Sequence, residues 1–126
     1  MKLTEELIRR VAGEMDVPYE ELEEFASRGE LKTFKQGDYL FHEGSPRQWF
    51  GIVLKGKINL QRGLSGRSIT IACLSDGAVI GESLFIDDLA HSVSGLALED
   101  VEVWAISREL IQAFKLENSD SFFRLV

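Results

Sequence analysis

The stretch from residue 81 to residue 94, GESLFIDDLAHSVS, contains the side chains of this chain best suited to recognising a small polar ligand. Gly81 can bring the backbone close to a ligand or adopt a conformation that other residues avoid. Residues 83–86 can form one helical turn, whose first amides have no partner within the helix and favour an anion such as a phosphate. Glu82 could accept a hydrogen bond from a sugar hydroxyl, and Ser92 could donate a further one. The stretch therefore predicts a site for one phosphate and one ribose.

Catalytic and metal chemistry have little support in the same residues. Residues 81–83 resemble the beginning of a nucleophile elbow, but Phe85 stands where that motif needs glycine. The histidines, His42 and His91, show no recognisable triad spacing, and together with one cysteine they make a poor set of metal ligands. We therefore predict no catalytic residues, no metal site, no cofactor, and a domain that is not itself an enzyme.

Composition restricts the partners of the chain. With 126 residues, 44% of them hydrophobic, it is one domain with a core of its own. A formal net charge of −7 argues against direct contact with nucleic acid, because a phosphate backbone attracts clusters of lysine and arginine. No apolar run is long enough to predict a membrane span, and the N-terminus lacks the apolar region of a secretory signal. Cys73 stands alone, so we expect a small buried hydrophobic residue in a cytoplasmic protein.

The periodicity of apolar residues predicts which elements position the site. Residues 1–30 have helical spacing, with Thr4 as an N-cap, Pro18 at the first position of a second helix and Gly29 at its end. From Leu31 the period becomes two, in short runs separated by glycine-containing turns: LKTF, YLF, WFGIVL, KINLQ, SITIACL, SVSGLAL and VEVWAI. Many short strands of this kind predict an antiparallel sandwich or jelly roll.

Each alternating strand is expected to place one face on the core and the other towards solvent or a ligand. Ile58 and Leu60 alternate with polar neighbours, as do Ile69 and Ile71.

The last twenty residues are expected to be helical. Ser107 caps a predicted helix with Leu110, Ile111 and Phe114 directed inward. The apolar segment SFFRLV at 121–126 would normally continue as a further helix, so we interpret the chain as a fragment of a longer protein.

Several motifs in order resemble those of the cyclic nucleotide-binding domain family, the sensor module of catabolite-activator-type regulators, cyclic-nucleotide-dependent kinases and gated channels. The resemblance covers roughly residues 18–126 and is carried by FKQGDYLFHEG, FGIVLKGKINL, LSDGAVIGE and SRELIQAF. It implies a mainly β domain with flanking helices. Residues 1–30 would form N-terminal helices, and residues 31–106 an antiparallel β-roll, a double-stranded jelly roll, with a short phosphate-cassette helix within 81–94. Residues 107–126 would begin the C-terminal helices.

The family's phosphate-binding cassette begins with Gly-Glu and ends with Arg followed by a small residue. Gly81 and Glu82 match its beginning, and Ser92 matches the small residue. At the usual spacing, however, His91 stands where the family has arginine, and Ala90 stands where proline is common.

The resemblance implies a role for each cassette residue. Glu82 would hold the ribose 2′-hydroxyl, and the amides near Ser83 and Leu84 would cradle the phosphate. The complete ligand-binding set predicted is Gly81, Glu82, Ser83, Leu84, His91 and Ser92.

His91 can replace an arginine only in part. Arginine offers phosphate a permanent, two-pronged charge, whereas imidazole is mostly neutral at pH 7. A lost charge-assisted hydrogen bond weakens binding about 10- to 100-fold. A bound phosphate would raise the pKa of His91, so we expect tighter binding at pH 6 than at pH 7.5. Arg47, Arg62 and Arg67 lie in predicted loops from which another cation could reach the site.

Three functions remain open from the residues alone. The domain could be a non-catalytic regulatory sensor that binds cAMP, cGMP or a related small anion and relays occupancy through its C-terminal helix. The pocket could instead take another small ligand. Alternatively, it binds no nucleotide and the domain serves for dimerisation or docking. The partners expected are the small ligand, an effector domain beyond residue 126 and a second copy bound through the C-terminal helix, with no nucleic acid or membrane contact.

Overall fold

Two short helices open the chain in the computed structural model, which describes the backbone of residues 3–81 and 90–117 and the side chains of those residues up to 113. The first, α1, spans Glu5–Met15 and begins as predicted, because the Thr4 Oγ1 accepts a hydrogen bond of 3.1 Å from the Leu7 amide. The second, α2, spans Tyr19–Ala26, so Pro18 is its N-cap rather than its first helical residue.

Eight strands follow in the described residues, and they confirm the predicted antiparallel β-roll with flanking helices. The strands are β1 (Glu30–Phe34), β2 (Tyr39–Phe41), β3 (Trp49–Lys55), β4 (Ile58–Leu64), β5 (Arg67–Leu74), β6 (Val79–Ile80), β7 (Ser94–Ala97) and β8 (Val101–Ser107). They form two four-stranded sheets with the orders β1-β8-β3-β6 and β2-β7-β4-β5, and every pairing is antiparallel. The described part of the chain contains no helix long and apolar enough to cross a membrane.

Helix α3, Arg108–Glu117, begins where the sequence predicts it, since the Ser107 Oγ accepts a hydrogen bond of 3.1 Å from the Leu110 amide. Ile111 is buried, as expected. The inward direction predicted for Phe114, the cassette helix and the apolar segment 121–126 all lie outside what the structure describes.

Strand β3 is buried on both faces because it lies between two apolar clusters. Phe50, Ile52 and Leu54 point towards α1 and α2, whereas Val53 points between the two sheets. The first cluster also contains Leu22, Phe25, Ile106 and Ile111, and the second contains Phe41, Ile58, Ile80 and Val103. The helices therefore share a core with the first sheet, and the space between the sheets has a core of its own.

Strand β5 differs from the prediction. Ile69 and Ile71, expected on a core face, are 40% and 52% exposed, and Cys73, expected to be buried, is exposed as well. The reason is that β5 is the edge strand of its sheet, and β7 covers β4 only between Ile58 and Gln61. The end of the β4–β5 hairpin, where Ile69 pairs with Arg62, thus extends past β7. Cys73 pairs with Asn59 instead, next to the core residues Ile58 and Leu74, so its side chain lies on the outer face of the sheet.

Candidate functional site

A cavity of about 150 Å³ lies against both sheets, next to the end of β6. Most of its wall is apolar, and the polar part consists of Arg47, Gly81, His91 and Ser92. The apolar residues are Phe41, Leu60, Leu74, Val79, Ile80 and Val93. An apolar wall with a few convergent polar groups is the usual form of a small-molecule site, although this cavity is smaller than the roughly 300–1,000 Å³ typical of such sites.

The structure brings half of the predicted ligand-binding residues together. Gly81 lines the same cavity as His91 and Ser92 although it is separated from them along the chain. Glu82, Ser83 and Leu84 lie outside the described residues, so their roles stay predictions.

Gly81 has the unusual backbone conformation that the sequence suggested. Its φ is +77°, and a Cβ atom built there would lie 2.7 Å from the Trp49 carbonyl oxygen. The preceding residue, Ile80, pairs with Gly51 of β3. Only glycine therefore lets the chain leave β6 so close to the backbone at the start of β3.

His91 is held at the cavity by its backbone and by its ring. Its amide donates a hydrogen bond of 2.9 Å to the Ser45 carbonyl oxygen, and its own carbonyl accepts one of 2.8 Å from the Gly44 amide. The imidazole stacks on the Phe41 ring with 4.2 Å between centroids and 15° between planes. Residue 91 is thereby joined to the loop between β2 and β3.

The same surroundings make the His91 ring neutral. Burial lowers the pKa of His91 to about 4, and the positive charge of Arg47 adds to this shift. Near pH 7 the imidazole therefore offers a ligand one hydrogen bond and no positive charge.

Arg47 is the residue of the β2–β3 loop that brings positive charge to the cavity. Of the three arginines suggested from the sequence, Arg62 lies in β4 and Arg67 begins β5, rather than in loops, and neither lines the cavity. Spacing along the chain contains no signal that separates these three residues, because the choice depends on which loop folds over the end of the sheet.

The ring of Phe41 is a contribution that the sequence did not indicate. Its run, YLF, predicted only a strand, yet the ring forms part of the wall and supports the imidazole of His91. Gly95 makes room for it, since a Cβ atom at that position would lie 2.7 Å from the ring.

A larger groove of about 400 Å³ lies between the helices and the first sheet. Its walls include Leu3, Ile8, Leu31 and Trp104, and Glu23 is the one charged residue among the described residues that line it. An apolar groove with a carboxylate does not suit an anionic ligand, so the smaller cavity is the better candidate site.

Comparison with known proteins identifies the family. A model of the cyclic nucleotide-binding domain matches residues 31–118, and the chain belongs to that family. The cyclic AMP receptor protein of Thermus thermophilus is 34% identical over 91 residues, covering 71% of this chain and 42% of that protein. Human cGMP-dependent protein kinase 2 is 30% identical over 105 residues, covering 81% of this chain and 14% of the kinase.

Solved structures show the same fold. The cyclic nucleotide-binding-like protein from Brucella abortus superposes with a TM-score of 0.75 at 27% identity, covering 90% of this chain and 99% of that one. The resemblance seen in the sequence motifs is therefore confirmed. Domains of this family are regulatory and non-catalytic themselves. This chain spans less than half the length of the two curated relatives described above.

The buried, neutral His91 predicts a loss of stability in acid. In the unfolded chain a histidine has a pKa of about 6.5, whereas the folded chain lowers that of His91 to about 4. Between these values the unfolded state binds more protons, so the free energy of unfolding should fall as pH drops from about 6.5 to 4 and stay constant above this window. Urea unfolding at several pH values measures the slope.

Two variants separate this effect from the titration of other groups. His91→Gln should flatten the slope in that window, whereas His42→Gln, which removes the same side chain from an exposed position, should keep it. If the slope is unchanged in His91→Gln, the pKa of His91 is the same in the folded and the unfolded chain, and the prediction is wrong.

Proposed function

We propose that this domain is a non-catalytic sensor that binds a cyclic nucleotide, or a related small anion, in the cavity of its β-roll. The observation that carries the proposal is the convergence of Gly81, His91 and Ser92 on one cavity that also contains an arginine. Family membership supports the same ligand class, and the names of the two curated relatives refer to cyclic AMP and cyclic GMP. Glu82 and the amides near Ser83 and Leu84 complete the proposed site.

The described hydrogen bonds suggest how occupancy could reach the C-terminal helix. The β2–β3 loop bonds to His91 on one side, and on the other it accepts two hydrogen bonds from Arg108, the first residue of α3. The Arg108 amide donates to the Gln48 carbonyl oxygen at 2.8 Å, and its Nη1 donates to the Arg47 carbonyl oxygen at 3.4 Å. A ligand held by this loop would therefore be linked through direct hydrogen bonds to the start of α3, and its occupancy would favour one position of that helix.

The sensor is proposed to act on a larger protein. Its effector would lie beyond residue 126 and could be a DNA-binding helix-turn-helix, a kinase, a transporter or a metabolic enzyme. Pairing of two copies through the C-terminal helix is part of the same proposal, and sedimentation of the chain with and without nucleotide would test it.

A docking module that binds no nucleotide is the second candidate. The small volume of the cavity and the neutral ring of His91 favour it, as do the exposed apolar side chains of the β4–β5 hairpin. Leu64, Ile69 and Ile71 are each at least 40% exposed and would suit a protein surface.

Calorimetry with cAMP and cGMP at pH 7.5 and pH 6 distinguishes the candidates. We expect measurable binding of at least one nucleotide. The affinity for that nucleotide at pH 7.5 and its affinity at pH 6 should differ by less than about threefold, because His91 of the free protein is neutral at both pH values. This revises the tightening at pH 6 expected from an ordinary histidine. Below pH 6 the affinity should rise, because the bound anion raises the pKa of His91 and binding then takes up a proton.

Each alternative has its own signature in this experiment. No heat with either nucleotide at either pH would leave the docking module as the function. A clear tightening between pH 7.5 and pH 6 would show that the bound anion raises the pKa of His91 above 6.

A further inference from the structure

We propose that Arg47, from the loop between β2 and β3, holds the anionic group of the ligand and takes the part that an arginine at position 91 plays elsewhere in the family. The inference rests on the proposed function, since it names the cation of that same site. It concerns a residue outside the cassette stretch and predicts an anion site assembled from two separate parts of the chain.

The first argument is the position of Arg47. It lines the cavity beside His91 and Ser92, and it is the one lysine or arginine among the described residues that do so. An anion in a largely apolar cavity needs a cation or several donors, because removal from water is costly for an unpaired charge. Arg47 is therefore the described side chain best suited to balance such a ligand.

The second argument is that the loop of Arg47 is fixed at both ends. Before Arg47, the Gly44 amide and the Ser45 carbonyl bond to the backbone of His91 at 2.8 and 2.9 Å. After it, the Gln48 carbonyl accepts a hydrogen bond of 2.8 Å from the Arg108 amide. A backbone held on both sides loses little conformational freedom when the side chain binds, so less of the binding energy is lost to ordering.

The third argument is the local charge. The whole chain has a formal net charge of −7, yet residues 44–75 contain no aspartate or glutamate. The same stretch has five basic residues: Arg47, Lys55, Lys57, Arg62 and Arg67. Of these five, Arg47 is the one that lines the cavity, so the charged side chain that a ligand meets in the described part of the wall is positive. After burial, the positive charge of Arg47 is the second cause of the lowered pKa of His91, as expected for two groups at one cavity.

The chemistry of guanidinium suits the role. It stays charged throughout the physiological range and can offer two parallel N–H donors to the oxygens of a phosphodiester. A neutral imidazole next to it can add one hydrogen bond without repelling it. The structure thus combines a permanent cation from one loop with a neutral donor at position 91, and the ligand class is a phosphodiester or similar small anion.

Calorimetry with cAMP and cGMP at pH 7.5 tests the assignment in four proteins. Arg47→Gln should weaken binding about 10- to 100-fold, the loss expected for a charge-assisted hydrogen bond. Arg47→Lys keeps the charge but not the two-pronged geometry, so its affinity should lie between those of Arg47→Gln and the wild type. Arg62→Gln removes the same charge from β4, outside the cavity wall, and should bind within about threefold of the wild type, since exposed charges are screened.

An NMR titration of the His91 ring provides a readout that needs no nucleotide. Arg47→Gln should raise the pKa of His91 from its value of about 4, while Arg62→Gln should leave it unchanged. Addition of inorganic phosphate should shift the His91 resonances in the wild type and not in Arg47→Gln.

The results separate this inference from the proposed function. If the wild type binds a nucleotide and Arg47→Gln binds it equally well, the role of Arg47 is wrong and the sensor function stands. If no nucleotide binds but phosphate moves the His91 resonances only when Arg47 is present, the anion site is supported and the nucleotide function is wrong. If Arg47→Gln changes neither the pKa of His91 nor the response to phosphate, the inference is overturned.

Discussion

Leu22→Ala is expected to lower the free energy of unfolding by about 2–5 kcal/mol, the range found when a buried leucine is truncated and the cavity persists. Leu22 has no exposed surface, and it belongs to the cluster in which α1 and α2 pack on Phe50, Ile52 and Leu54 of β3. Its side chain therefore links the helices to the sheet. Urea unfolding followed by far-UV circular dichroism measures the change.

The matched control is Leu64→Ala, the same truncation at a side chain that is 57% exposed on the β4–β5 hairpin. It should change the free energy of unfolding by no more than about 0.5 kcal/mol. Equal effects of the two variants would contradict the shared core of the N-terminal helices and the first sheet. A large effect of Leu22→Ala alone would show that packing of α2 on β3 contributes to the stability of the fold.

Gly81→Ala is expected to reduce both stability and ligand binding. The backbone conformation at φ +77° costs a non-glycine residue about 1–3 kcal/mol. In addition, the new Cβ atom would lie 2.7 Å from the Trp49 carbonyl oxygen, which as a backbone atom cannot turn away. We expect the chain after β6 to move away from β3, so that the wall of the cavity opens and affinity for cAMP falls at least about tenfold.

Gly66→Ala separates the two causes. Gly66 has a similar φ of +79°, but a Cβ atom built there has nothing within 4 Å. This variant should show the cost of the backbone conformation alone and should bind nucleotide as the wild type does. Calorimetry measures the nucleotide affinity of both variants, and urea unfolding measures their stability. If Gly81→Ala bound nucleotide as tightly as Gly66→Ala, the proposed cavity wall would be contradicted.

Local patterns were sufficient to predict most of the elements. The Thr4 cap, the change to a period of two at Leu31 and the Ser107 cap are each decided within a few residues, and the structure shows all three. Pro18 shows the limit of such signals, because a proline has nearly the same φ at the first helical position and at the residue before it, and the structure places Pro18 before the helix, with an extended ψ of 141°.

Burial was less predictable than the elements themselves. The alternation of Ile69 and Ile71 is typical of a strand with a core face, and it does not state how far the neighbouring strands extend. In the fold, β7 is only four residues long, so the end of the hairpin is left uncovered. Cys73 is exposed for another reason, because it follows the alternation of β5 onto the outer face, whereas its neighbour Leu74 packs at the core.

For the candidate site, too, the sequence predicted one part and the tertiary structure added the other. The sequence alone predicted which residues near Gly81 could bind an anion, because residue type and order carry that information, and the family resemblance implied that His91 stands where relatives have arginine. Only the tertiary structure decided that Arg47 joins His91 at one cavity and that burial lowers the pKa of His91 to about 4. The physical reason is that the burial of a charge and the approach of two loops depend on distances through space, which arise only when the sheets close on each other.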